Sequence, residues 1–246
     1  MDSGFYAACT ALLARSQAMD TVANNLANSS TPGYRAHKDL FSSILASASG
    51  LPLTPVNQAI NNYGILGGNR LDLSQGNLER TGNDLDLGIQ GKAFFVVKTP
   101  AGEMYTRNGN FHVSADGQLE TAEGDLVLGQ QGPIPIVGGP VSVASDGTIS
   151  INGAVAGNIK MVEFPAGTQL ESAGKNYYSA PANKAVAATD ARIQQGMLET
   201  SNVNPVTGMV DLVAVQRYAE LMQRALSMFH TDMNSAAQDI ARVSGS

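Results

Sequence analysis

Cysteine is almost missing from this chain: Cys9 stands alone. One thiol cannot close an internal disulfide, so no disulfide framework holds the fold. The three histidines, His37, His112 and His230, are far apart and show no HExxH spacing. One Cys and scattered His exclude a structural zinc site on ligand count. Cys9 sits beside an apolar helical stripe and is expected to be a small packing residue, not a reactive thiol. Charge is thin as well, at 15% of residues, with 21 acids against 15 bases and a net charge of -6. Clustered Lys and Arg, which nucleic acid or an anionic membrane surface requires, are not there.

Long apolar runs are also lacking. No stretch approaches the ~18–20 residues of a membrane span, so no membrane insertion is expected. The first residues carry Asp2 where a secretory leader has a basic region, so no cleaved signal is expected. That fits a cytoplasmic protein, or one exported by a machine that reads no cleaved signal. No Walker loop, GxGxxG or GxSxG motif occurs. No nucleophile, base and orienter can be picked out. Neither an enzyme nor a cofactor is expected.

What the chain does have is two ends of one kind and a middle of another. From Leu212 onward, apolar residues fall at steps of three and four: Leu212, Val215, Ala219, Met222, Leu226, Phe229, Met233, Ala236, Ile240 and Val243. A second set, Leu221 and Met228 among them, lies off that seam. Near the start, Phe5, Leu12, Met19 and Leu26 are seven apart, with Cys9, Ser16 and Ala23 beside them. Steps of three and four mark helices that pack along their length. The expected fold is α+β, with the N- and C-terminal helices paired as a coiled-coil-like core domain and a central antiparallel β domain. The segments are 1–33 and 203–246 for terminal helical assembly, 34–79 for an extended connector, and 80–202 for the β domain with its return linker. A last helix with more than one apolar stripe wants several neighbours, and other subunits are the obvious source.

The local signals are specific. The first helix should stop at Asn28-Ser29-Ser30-Thr31-Pro32-Gly33, since Pro cannot continue it and Gly turns the chain. Asn24, Asn25 and Asn28 are poor helix formers crowded into its end, which points to a junction or an interface. Phe41, Ile44 and Leu45 predict a short helical turn. In the middle the period changes to two, and Phe94-Phe95-Val96-Val97 reads as a buried strand. Met104–Arg107 and Phe111–Val113 flank Asn108-Gly109, the residue pair of a two-residue hairpin. Asn83-Asp84-Leu85-Asp86-Leu87-Gly88 echoes a calcium loop but lacks its later ligands. Leu85 and Leu87 are expected in the core, with the acids on the exposed alternate positions. Asn204-Pro205 is an N-cap followed by a residue preorganised for the first helical turn.

Four of these segments, in order, resemble the flagellar basal-body rod and hook protein family. They are Ala23–Arg35, Gly88–Val97, Tyr105–Phe111 with the turn Asp116–Leu119, and Gly196–Val206. The chain length, Asn204-Pro205-Val206 and Tyr218–Gln223 are most similar to the proximal-rod branch, with the distal-rod branch as the alternative. Lys92-Ala93 departs from the Gly-rich pair usual before that strand. The resemblance implies a structural subunit whose copies pack into a hollow rod that crosses the periplasm and transmits torque. Its partners would be copies of itself, other axial proteins, and the flagellar type III export apparatus. The assembly interface would comprise Phe5, Leu12, Met19, Asn24, Asn25, Leu26, Asn28, Leu212, Val215, Ala219, Leu221, Met222, Leu226, Met228, Phe229, Met233 and Ile240. A reading of another class is a β-domain binding module dimerised by its terminal helices.

Overall fold

A computed structural model describes residues 2–42, 65–165 and 167–243. The chain divides into two compact units, one of residues 1–26, 37–69 and 204–246, the other of residues 27–36 and 70–203.

The first unit holds two helices, α1 (Asp2–Ala27) and α2 (Pro205–Val243). Asn204 caps α2 as its sequence demands: its Oδ1 accepts the N–H groups of Val206 (3.0 Å) and Thr207 (3.2 Å). At 39 residues, α2 is ~58 Å long. This unit also holds β1 (His37–Ser42), paired with β2 (Ile65–Leu71). Phe41 is therefore in a strand, not a helical turn, while Ile44 and Leu45 lie outside the described residues.

The expected coiled-coil-like pairing of the two helices is not what forms. Among the described side chains of α1, Ala14 and Ala18 are buried, while Leu12, Met19 and Leu26 of the expected seam are only half-buried and Leu13 is 61% exposed. Among the described side chains the Arg15 guanidinium lies over the Tyr218 ring at 5.4 Å, and Leu26 approaches Gly208. The reason lies in composition. The α1 seam offers one large apolar residue per heptad, and Cys9, Ser16 and Ala23 cannot fill the alternate layers that interlocked knobs require.

The second unit is β-rich. Its strands are β3 (Leu78–Arg80), β4 (Leu87–Gln90), β5 (Phe94–Thr99), β6 (Gly102–Thr106), β7 (Phe111–Val113), β8 (Leu119–Thr121) and β9 (Leu126–Gly129). They continue as β10 (Gly132–Pro133), β11 (Val141–Val143), β12 (Thr148–Ile151), β13 (Ala154–Asn158), β14 (Met161–Glu163) and β15 (Glu171–Gly174). The last are β16 (Tyr177–Ser179), β17 (Val186–Ala187), β18 (Arg192–Gln195) and β19 (Met197–Glu199). The main antiparallel sheet runs β15-β16-β6-β5-β9-β8-β7, and β14 joins it at β5. A three-stranded sheet runs β11-β12-β13. The chain then returns to its beginning, where β18 pairs with β4 and β19 with β3.

Strand β5 organises the core because both of its faces are buried. Phe95 and Val97 look into a cluster with Leu87, Ile89, Phe111, Leu119, Val127 and Ile149. Phe94 and Val96 look into another with Leu71, Tyr105, Leu128, Val162 and Tyr178. Aromatic edges lock each side, with Phe95–Phe111 centroids 5.0 Å apart and Phe94–Tyr178 centroids 5.9 Å apart, both in T-shaped geometry.

Two local expectations are corrected here. Asn108-Gly109 is not a hairpin turn: β6 pairs with β5 and β16, and β7 pairs with β8. Neither residue adopts the left-handed backbone that such a turn needs. Gly109 is instead a close backbone approach, its carbonyl accepting the Leu87 N–H at 3.0 Å. Asn152-Gly153, with φ of 51° and 82°, is the two-residue turn, between β12 and β13. Asp86 is not exposed either. It is 4% accessible, and its Oδ1 accepts the Asn110 side-chain amide at 2.9 Å. We predict that Gly109→Ala lowers stability by about 2–4 kcal/mol, because its Cβ would sit 1.7 Å from the Leu87 carbonyl oxygen. Urea unfolding measures this, and an unchanged midpoint would contradict the close approach.

Candidate functional site

The described residues hold two places of concentrated polar chemistry, a groove and a buried charge cluster. No group of three or more His, Cys, Asp or Glu side chains is placed to hold a metal among them. A groove of about 730 Å³ on the β unit is lined by Glu103, Tyr105, Gln130, Lys160, Met161, Val162 and three alanines. Its charged groups are spent on each other, Lys160 Nζ lying 3.0 Å from Glu103 Oε2.

The most unusual chemistry lies in the β unit, where the connecting strands meet. Glu199, at the end of β19, is 1% accessible and stands between Arg35 and Arg107, at 0% and 1%. Its Oε1 is 2.7 Å from Arg35 Nη2 and its Oε2 is 3.0 Å from Arg107 Nη1. The Gly76 N–H donates to Oε1 at 2.8 Å. Arg107 also donates to the carbonyls of Ile89 and Gly91, and its guanidinium lies over the Phe94 ring at 5.0 Å. Two cations thus share one anion, and Arg35 meets it by charge proximity: none of Arg35 Nε, Nη1 and Nη2, nor Arg107 Nε, makes a hydrogen bond among the described residues. Burial pushes the Arg107 guanidinium down to about 10, against the pull of Glu199. Burial likewise pushes the Tyr178 phenol up to about 12; its oxygen accepts the Arg35 backbone N–H at 3.1 Å.

Around this charge cluster the backbones are stitched together. The Gly33 N–H donates to the Glu199 carbonyl at 2.7 Å, and the Asp72 N–H to the Ala36 carbonyl at 2.8 Å. Asn202 accepts the Ala36 N–H at 2.7 Å and donates to the carbonyls of Asp72 (2.9 Å) and Ser74 (3.0 Å). The Asn176 side chain holds the Pro32 carbonyl at 3.0 Å. Gly33 is required: with φ of 69°, a Cβ there would meet the Arg107–Asn108 backbone at 2.4 Å.

The sequence-predicted residues fall into groups. Asn25 does join chain segments: within the helical unit its side chain bonds both His37 backbone groups, at 2.7 and 2.8 Å. Asn24 is exposed, and Asn28 is half-buried, accepting the Thr31 hydroxyl at 3.3 Å. Leu12, Met19, Leu26, Leu212, Val215, Ala219 and Met222 are half-buried. Leu221 and Met228 are exposed, at 55% and 68%. The side chains of Phe5, Leu226, Phe229, Met233 and Ile240 lie outside what is described. Sequence reasoning missed Arg35, Arg107 and Glu199 as a group. The available signal was that each is the charged residue of a different segment carrying the family resemblance.

Comparison with known proteins follows the same segments. Residues 5–35 match the flagella basal body rod protein family, residues 88–151 the flagellar hook protein FlgE/F/G D1 domain, and residues 194–239 the flagellar basal body rod FlgEFG protein C-terminal family. The chain is 36% identical to the flagellar basal-body rod protein FlgF of Mesorhizobium japonicum, over 89% of this chain and 90% of that protein. It is 32% identical to FlgF of Caulobacter vibrioides, over 99% of this chain and all of that protein. Against the flagellar basal-body rod protein FlgG of Bacillus subtilis it is 31% identical, over 81% of this chain and 84% of that protein. With three family segments in order and relatives matched nearly end to end, the chain belongs to the flagellar basal-body rod protein family and is FlgF-like within it.

Proposed function

We propose that this chain is a non-enzymatic structural subunit of the flagellar proximal rod, joined to neighbouring axial subunits through the outward face of α2. One observation carries the assembly part. Val206, Met209, Val210, Val213, Leu221 and Met228 are 71%, 57%, 63%, 47%, 55% and 68% exposed. At ~100° per residue they share an arc of about 120°, running ~33 Å along the helix. Val206, Met209, Val210 and Val213 are contiguous over two turns and mark an interaction site, which Leu221 and Met228 extend beyond the charged residues that interrupt the arc. No described helix is long and apolar enough to cross a membrane. Arg217, Glu220 and Arg224 share the arc, and charges of both signs among the apolar residues favour a protein neighbour over lipid.

In this reading residues 1–33 and 203–246 build the wall of the shaft, and torque passes from subunit to subunit. The half-buried residues of both helices, from Leu12 to Met222, and the partly described seam through Leu226, Phe229, Met233 and Ile240 complete the packing. The rod lies in the basal body and crosses the periplasm. Its subunits reach it through the type III export apparatus without a cleaved signal. The lone Cys9 suits passage as an unfolded chain, since no disulfide has to be made or broken.

Expression in a strain lacking its own FlgF should restore swimming, whereas expression in a strain lacking FlgG should not. Rescue of the FlgG strain alone would move the chain to the distal rod. Leu221→Asp, at an exposed position, should leave the β unit's thermal unfolding unchanged while the protein fails to enter isolated basal bodies and motility is lost. Normal incorporation of that variant would remove α2's outward face from the interface.

A further inference from the structure

The two units are joined by chain crossings near residues 26, 36, 69 and 203. Three of these crossings begin at one place in the β unit. Arg35 and Ala36 precede the first strand out, Asp72 to Gly76 follow the strand back in, and Glu199 to Asn202 precede the last exit. All three are fastened to one another there, through Glu199, Asn202 and the Ala36–Asp72 backbone bond. Arg107 then fixes Glu199 to the main sheet, from the end of β6.

We propose that the Arg35–Glu199–Arg107 cluster is a force-carrying clamp. It holds the strands through which tension travels along the chain, so that pulling on the terminal helices does not peel residues 33–36 and 196–202 from the β unit. The chemistry suits the task. A buried carboxylate between two guanidinium groups, with one nitrogen of each at 2.7 and 3.0 Å, is a short-ranged contact, and it is shielded from water that could exchange into a strained bond. Detaching Glu199 leaves Arg35 and Arg107 buried without a counter-charge, so the first step of peeling is steeply unfavourable. A hydrophobic contact at the same place would slide and give way gradually. Positioning by Glu199 therefore acts on mechanical strength beyond its share of equilibrium stability. The inference rests on the rod reading for its purpose, not for its measurement.

The test is single-molecule pulling on the full chain, with handles at its two termini. Glu199→Gln keeps the size but removes the charge and turns one of the two acceptor oxygens into a donor. Its comparison is a core variant away from the clamp, Ile149→Val or Ile149→Ala, whichever lowers the melting temperature by a similar amount. At constant force, Glu199→Gln should raise the opening rate of the β unit at least ~10-fold above the matched core variant. Equal opening rates at equal loss of melting temperature would overturn the clamp. If Glu199→Gln does not fold, Arg35→Lys serves in its place, keeping the charge and losing the reach and planarity of the guanidinium; the same two outcomes decide. Failure here leaves rod membership standing, and failure of the chain to enter basal bodies leaves the clamp standing.

Discussion

A carboxylate buried between two arginines governs how this chain is put together. Removing one member of such a buried pair typically costs about 3–5 kcal/mol, a large share of the ~5–15 kcal/mol that holds a domain folded. Glu199 belongs to the last strand of the β unit, Arg35 to the first segment after α1, and Arg107 to the residue just past β6 of the main sheet. The β unit therefore cannot satisfy its buried charges until sequence from both ends has arrived. Its closing strands, β18 and β19, pair with its opening strands, β4 and β3. The charge cluster and the strand order impose the same condition: the two ends of the unit meet, and the helices depart from where they meet.

That arrangement suits a structural subunit. The apolar faces of α2 and the core around β5 answer to different partners. The core is closed on itself, with Phe94 to Val97 buried on both sides. The helix is left with Val206, Val210, Leu221 and Met228 in the open. A domain complete in itself and a helix incomplete without neighbours are the two parts that an assembling shaft requires. Within the β unit, the segments that lead out to the helices are fastened to one another through Glu199 and Asn202.

Much of this was legible in the residues, for reasons that differ by place. Asn204-Pro205 announced α2, and Phe94–Val97 announced the central strand, because capping and burial are written in local sequence. The interlocked helix pair does not form, because the seven-residue repeat in α1 sets Cys9, Ser16 and Ala23 between its large residues. Asn108-Gly109 misled because that pair serves equally for a close backbone crossing, which depends on Leu87 from a distant strand. Asp86 was assigned to solvent by alternation alone, when Asn110 was waiting to pair with it. The charge cluster was invisible as a cluster, since its members are 72 and 92 positions apart. It was visible only as one charged residue in each of three family segments.

The central claim is that this chain is a wall-forming rod subunit whose connecting strands are clamped at Glu199. A density map of basal bodies purified from cells that carry this chain tests it most directly. The account predicts the chain in the proximal rod, with the Val206–Met228 face of α2 covered by neighbouring subunits and Glu199 seated between Arg35 and Arg107. A rod lacking the chain, an α2 face left open in it, or Glu199 parted from the arginines in the assembled subunit would contradict it.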